Sequence, residues 1–175
     1  IEASPDFFNL EIGGVLVLVS IAAGFTGRGF TLLYDNVSRL FHRNNKNSAI
    51  GTGLRAMIGT LLAFFIVWYI NPILIGTSLG IFDALSFGGS QLLYGNLDHR
   101  IPLFLVILLL ILLKALANSL TVGSGMSAGF AGPAMLIGLL VGAGAADLAE
   151  AFLGTAFGTA EYFALLAAGF AGVFS

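Results

Sequence analysis

Apolar runs joined by glycine-rich breaks predict an all-α integral membrane protein of broken and tilted transmembrane helices. Three observations carry this reading. Hydrophobic residues make up 58% of the chain and charged ones 9%, with a mean hydropathy of +1.00. That composition belongs to polytopic membrane proteins and not to ordinary soluble domains. Several apolar runs come near the roughly 20 residues that a helix needs to cross a bilayer. Glycine supplies 24 of 175 residues, many at joints between runs, as in transporter folds with discontinuous helices. The lipid bilayer is therefore the first partner.

Other classes fall away. A net charge of −2 and the lack of a basic stripe interleaved with aromatics argue against nucleic acid. With no cysteine there is neither a disulfide framework nor a thiolate metal site. His42 and His99 both lie in polar connections, so no metal or other cofactor is expected.

Residues 1–9 form a polar lead-in, and residues 10 to about 41 read as one long helix. Gly24, Gly27 and Gly29 interrupt its middle, either for close packing or as a hinge. Arg28 among them is expected to pair or snorkel. Arg39, His42, Arg43 and Lys46 make a basic connection, which the positive-inside rule would place in the cytoplasm. Residues 49–70 form a second span, with Gly51, Gly53 and Gly59 open to close packing, and Pro72 ends or bends it. Residues 76–95 are too short and too rich in glycine to cross, so a re-entrant or half-length helix with Asp83 near its middle is expected. A third span covers 101 to about 122. A fourth helix runs from 130 to about 146, with Gly138 and Gly142 in G-x-x-x-G spacing and Asp147 and Glu150 marking its exit to water. Residues 162–174 begin another helix. No internal repeat is convincing.

The most informative stretch is 114–140. Lys114, Asn118, Ser119 and Thr121 follow an apolar run. Then comes Gly123-Ser124-Gly125-Met126-Ser127-Ala128-Gly129, and a new run opens at Phe130 with Pro133 in its first turn. Irregular backbone at membrane depth is tolerated where protein buries it or where it lines a wet cavity. Proline suits a first helical turn, where its missing N–H has no partner to lose. The break thus aims unpaired N–H groups and the positive end of a helix dipole into the joint, an arrangement suited to an anion. The plainer alternative is a loop joining two packed helices. Lys114 is open to two readings as well, snorkelling or pairing on one hand and a pathway charge on the other.

These residues also carry a resemblance. Gly123-Ser124-Gly125 followed by Gly129-Phe130-Ala131-Gly132-Pro133 resembles the G-S-G-x-x-G-G-x-F-x-P segment of the CLC chloride channels and proton/chloride antiporters. Asn71-Pro72-Ile73-Leu74-Ile75-Gly76, Leu79-Gly80 and Leu113-Lys114-Ala115-Leu116-Ala117 fit that family's spacing, and the similarity runs from about residue 10 to the end. It implies a partial CLC-type inverted-repeat fold, with 1–175 a single transmembrane region from the second inverted half. Ile1 is not methionine and Ser175 falls inside an apolar segment, so an internal fragment is expected.

The resemblance further implies chloride as transported substrate, by a channel or in exchange for protons, with main-chain amides of Phe130 and Ala131 on the ion. Gly129, Gly132 and Pro133 complete the expected anion site, and Lys114 is the candidate pathway charge. A homodimer is implied, with the first long helix near its interface, in the cell membrane of a prokaryote. The basic connection would face outward, against the positive-inside reading. The chain departs from the family pattern at Ala131, where phenylalanine is usual, and at Ala128 and Gly132. Alanine keeps the main-chain donor, so the departure touches pore width instead.

Two competitors remain. Gly125-Met126-Ser127-Ala128-Gly129 fits G-x-S-x-G, the pattern of a serine nucleophile, but the base such a serine needs is not offered from a span, and no strand precedes it. An intramembrane serine hydrolase using Ser127 is therefore the alternative of another class. A structural membrane subunit without transport is the third.

Overall fold

The computed structural model describes residues 10–42, 49–75, 81, 85, 90–127, 129 and 131–153. Four long helices account for most of them: α1 (Leu10–His42), α2 (Ala49–Ile70), α3 (Leu103–Gly123) and α4 (Ala131–Leu153). Two 3-10 turns, Pro72–Leu74 and Ser90–Leu93, lie between α2 and α3. There is no strand among the described residues. All four long helices are long and apolar enough to cross a membrane. The lead-in 1–9, the basic residues Arg43 and Lys46, Asp83 and the helix expected at 162–174 fall outside the described residues.

α3 is the hub. It packs against α1, α2 and α4, and α1 also meets α4. Its sequence explains the position: Leu103–Gly123 is almost continuously apolar, and a helix that is hydrophobic all round belongs in an interior. Val106, Ile107 and Leu110 of α3 are buried against Ile137 and Leu140 of α4, and Leu74, Ile81 and Leu93 of the α2–α3 connection join them. By contrast α1 and α2 turn large apolar side chains outward; Phe25 is 76% exposed and Tyr69 80%.

At about 1.5 Å per residue, the 33 residues of α1 span roughly 50 Å, well beyond the ~30 Å hydrocarbon core. Its hydroxyls settle inside the helix itself. Ser20, Thr26 and Thr31 donate to the carbonyls of Leu16, Ala22 and Gly27 at 2.8–3.1 Å, the i−4 pattern that lets hydroxyls sit in a span. The helix runs unbroken through Gly24, Gly27 and Gly29, and a Cβ at Gly29 would meet nothing within 4 Å. Arg28 is exposed. The last turn of α1 is held by Arg55 of α2, which donates to the Phe41 carbonyl at 3.1 Å and to Thr52 and Gly51 at 3.0 Å. Orphan carbonyls at a helix end gain a cationic donor this way.

α2 ends at Ile70 because Pro72 follows. Asn71 turns extended there; its side chain accepts from the Ile73 N–H at 3.0 Å and donates to the Leu93 carbonyl at 2.7 Å. Asn96 completes the clasp, donating through its side chain to the Tyr69 carbonyl at 2.8 Å. Gly95 fits under Asn71 with φ of 53°, where a Cβ would lie 2.6 Å from the Asn71 Cγ. Glycine alone takes that conformation and that approach without strain. Within the joint expected to be a half-length helix, Ile81 and Leu85 are helical and buried, while residues 90–93 form a 3-10 turn.

α4 differs from its expected end. It continues through Asp147 and Glu150 to Leu153, and Asp147 is half-buried. Its carboxylate accepts the backbone N–H of Phe104, in the first turn of α3. Pro102, the residue before α3, makes no side-chain cap bond. A carboxylate from the neighbouring helix meets the orphan donor and the positive end of the dipole instead. Gly138 and Gly142 are both buried, as their spacing predicts.

Candidate functional site

The joint between α3 and α4 is built residue by residue. The N–H of Gly125 bonds the Val122 carbonyl at 3.0 Å, and that of Met126 bonds the Thr121 carbonyl at 3.3 Å. Gly125 has φ of 102°. This is a Schellman ending with glycine in its left-handed position. Gly123 lets α1 approach: an added Cβ would stand 3.2 Å from the Ser38 nitrogen. Ser124 is buried against Gly59 of α2, with its hydroxyl donating to the Thr121 carbonyl at 2.8 Å. Each residue of the G-S-G run thus has its own packing or conformational cause.

Beyond it, Met126, Ser127 and Gly129 are exposed, and α4 begins at exposed Ala131. Pro133 is the third helical residue, where its missing N–H breaks no intrahelical bond. The remaining early N–H groups of Ala131 and Gly132 have no intrahelical carbonyl to bond.

A cleft of about 520 Å³ opens beside this helix start. Gly129, Gly132 and Pro133 form one wall, Lys114, Asn118 and Thr121 of α3 another, and Thr60, Phe64 and Val67 of α2 a third. Four expected site residues, Gly129, Gly132, Pro133 and Lys114, therefore share one cleft. Ala131 is at the helix start but its side chain does not line the cleft. Phe130 and Ala128 lie outside the described residues.

Lys114 does not snorkel. It is 6% exposed, and its ammonium donates to the Leu74 carbonyl at 2.8 Å, the end of the first 3-10 turn. One turn on, Asn118 is 8% exposed, and its side-chain Nδ2 has no hydrogen-bond partner among the described residues. The buried hydroxyls of Thr60, another residue lining the cleft, and of Ser119 are likewise unmatched among the described residues. A buried donor left unsatisfied costs about 1–3 kcal/mol. Thr60 and Asn118 are functional candidates that the sequence reading passed over. The signal was present, since positions 114, 118 and 121 follow the i, i+4, i+7 period of one helix face.

Among the described residues the two histidines are engaged away from the G-x-S-x-G serine. His42 donates through Nδ1 to the Ser38 carbonyl at 2.8 Å, and His99 stacks on Tyr94 with ring centroids 4.8 Å apart. No hydrogen bond joins Ser127 to either imidazole among the described residues. Those residues also hold no group of three or more His, Cys, Asp or Glu side chains placed for a metal.

A family model described as "Voltage gated chloride channel" matches residues 4–175. The chain belongs to the voltage gated chloride channel family. No curated protein and no solved structure gives a significant match. Membership accounts for the helical membrane architecture and sets the general activity as chloride transport. Proteins of the voltage gated chloride channel family are transporters and not enzymes, and the four apolar helices make this one an integral membrane protein.

Proposed function

We propose that this chain forms one wall of a chloride pathway, with the anion held by main-chain N–H groups of Phe130 and Ala131 at the start of α4. The observation that carries the proposal is the cleft: Gly129, Gly132 and Pro133 meet buried Lys114 there. A halide accepts hydrogen bonds from any direction, so backbone donors suit it. Gly129 leaves room for the ion and Pro133 fixes where the helix starts. Charge-assisted hydrogen bonds of about 1.5–3 kcal/mol and a dipole contribution of roughly 0.3–2 kcal/mol hold an ion without trapping it. Conduction needs that balance. The whole protein acts as a homodimer in a prokaryotic cell membrane, with chloride moving by channel or in exchange for protons.

The test replaces Ala131. Ala131→Phe keeps the amide and adds bulk, so chloride binding to the purified whole protein should survive. Ala131→Pro removes the amide and should weaken binding by about tenfold to over a hundredfold. A proline early in a helix is otherwise acceptable, though Phe130 becomes a restricted pre-proline residue, so folding is checked by gel filtration. Equal chloride titrations for wild type and a well-folded Ala131→Pro protein would remove this amide from the site. Reconstituted vesicles separate the two transport modes: proton movement driven by a chloride gradient marks exchange, and chloride movement alone marks a channel.

A further inference from the structure

The densest positive charge in the chain gathers around the end of α1. Arg39, Arg43, Lys46 and Arg55 are four of its seven lysines and arginines, His42 stands among them, and neither aspartate nor glutamate occurs from 36 to 82. A cavity of about 510 Å³ lies against this helix end, lined by Asn36, Arg39, Leu40 and His42. None of these described lining residues is acidic. Arg39 is exposed, and among the described residues no hydrogen bond or ion pair engages its guanidinium. A helix C-terminus ordinarily repels an anion through its dipole. Here that end is covered: His42 bonds the Ser38 carbonyl at 2.8 Å, and Arg55 of α2 bonds the Phe41 carbonyl at 3.1 Å. An anion beside Arg39 therefore meets donors and positive charge instead of bare carbonyls.

The neighbouring surface narrows the kind of anion. Leu32, Asn36, Arg39 and Leu40 follow i, i+4, i+7 and i+8, so they share one face of α1. Leu32 is 54% exposed and Leu40 72%. At about 1.5 Å per residue, Leu32 lies roughly 10 Å along the axis from Arg39, toward the middle of the helix. Along this face come guanidinium, amide and then apolar side chain. Phosphate, glycerol ester and acyl chain follow one another in the same order in a phospholipid. At roughly 30 Å³ per water, the cavity has room for a phosphodiester, a glycerol and several waters. A guanidinium meets phosphate oxygens with paired hydrogen bonds.

We propose that the end of α1 binds the headgroup of an anionic glycerophospholipid, with Arg39 on the phosphate, Asn36 at the glycerol ester and Leu32 along the acyl chain. This surface shares no described residue with the cleft at the start of α4, and its occupant is a lipid, not a transported ion.

Phosphatidylglycerol is the probe and phosphatidylcholine its zwitterionic counterpart, added to the whole protein after it is stripped of lipid in neutral detergent. Native mass spectrometry counts the lipid retained, and the melting temperature is followed as each lipid is added. Wild type should retain phosphatidylglycerol at least tenfold more tightly than phosphatidylcholine. One basic residue near an anionic surface contributes about fivefold, and paired hydrogen bonds add to it. Arg39→Gln should therefore lower phosphatidylglycerol affinity at least tenfold and Asn36→Leu roughly threefold, with chloride binding unchanged in both. Arg28→Gln removes the same charge from another exposed position of α1 and should change retention little.

Equal losses in Arg28→Gln and Arg39→Gln would reduce the effect to general charge attraction and overturn the site. So would wild-type phosphatidylglycerol affinity in Arg39→Gln and Asn36→Leu, with the folding of each checked by its melting in phosphatidylcholine alone. Inorganic phosphate and glycerol phosphate should give no protection at the concentrations where phosphatidylglycerol does. Protection by either, lost in Arg39→Gln, would make this a site for soluble anions and overturn the lipid. A structure of the whole protein in phosphatidylglycerol nanodiscs should show a headgroup against Arg39, and another segment of the protein filling that cavity would overturn the proposal.

Discussion

Lys114 shows how one residue can serve structure and charge together. Its ammonium anchors the turn after α2 through the Leu74 carbonyl while lining the cleft. The two roles separate by substitution. Lys114→Met removes hydrogen bond and charge, so both thermal stability and chloride affinity should fall, stability by about 1–3 kcal/mol. Lys114→Gln returns a donor without charge; stability should recover in part and chloride affinity should stay low. Recovery of affinity by glutamine would reduce Lys114 to an anchor. Ser127 is decided more simply. A fluorophosphonate probe should leave the wild-type protein unlabelled, and Ser127→Ala should change flux little; covalent labelling at Ser127 would favour the hydrolase. At this scale the sequence was partly legible. It pointed to Gly129, Gly132, Pro133 and Lys114 because glycine, proline and an intramembrane charge are rare signals with narrow causes. It passed over Asn118 and Thr60 because a polar residue in a span has many routine outcomes, such as the back-bonding of Thr26 to Ala22. The missing partner is visible only in three dimensions.

Element boundaries were legible where local chemistry sets them. The ends of α2 coincide with the expected 49–70, because Pro72 and Asn71 stop the helix from within the sequence. The end of α4 was not, since Asp147 is retained in the helix by a contact with Phe104 some forty residues away. Glycines behave the same way. Gly53 and Gly59 look alike in sequence, yet a Cβ at Gly53 meets nothing within 4 Å. One at Gly59 would overlap the Ser124 side chain and stand 2.6 Å from the Leu120 carbonyl oxygen. Backbone cannot yield as a flexible side chain can. Gly59→Ala should therefore cost about 1–3 kcal/mol by forcing α2 and α3 apart. Gly53→Ala should be neutral or stabilising by up to ~1 kcal/mol, through helix propensity. Thermal melts of both variants in detergent check this pair. Equal melting points would mean that α2 and α3 do not cross at Gly59.

For the whole molecule, the outward faces of α1 and α2 identify the solvent. Leu61, Leu62, Phe65, Trp68 and Tyr69 of α2 are all more than two-fifths exposed, a surface too apolar for water. Composition alone made the membrane legible, because it sums over every residue and needs no contact. Depth within the membrane gives the sharper prediction. Leu61 sits at the middle of the span 51–70 and Tyr69 at its end. A lysine at the centre of a membrane helix costs about 2.5–3.5 kcal/mol on insertion scales, whereas near an end its ammonium reaches the headgroups. Leu61→Lys should sharply lower the amount of whole protein recovered folded from membranes, while Tyr69→Lys should be tolerated, although Tyr69 is the more exposed residue at 80% against 46%. In water both substitutions would be mild, since both side chains are more than two-fifths exposed. Equal recovery of the two variants would therefore remove lipid from this face of α2.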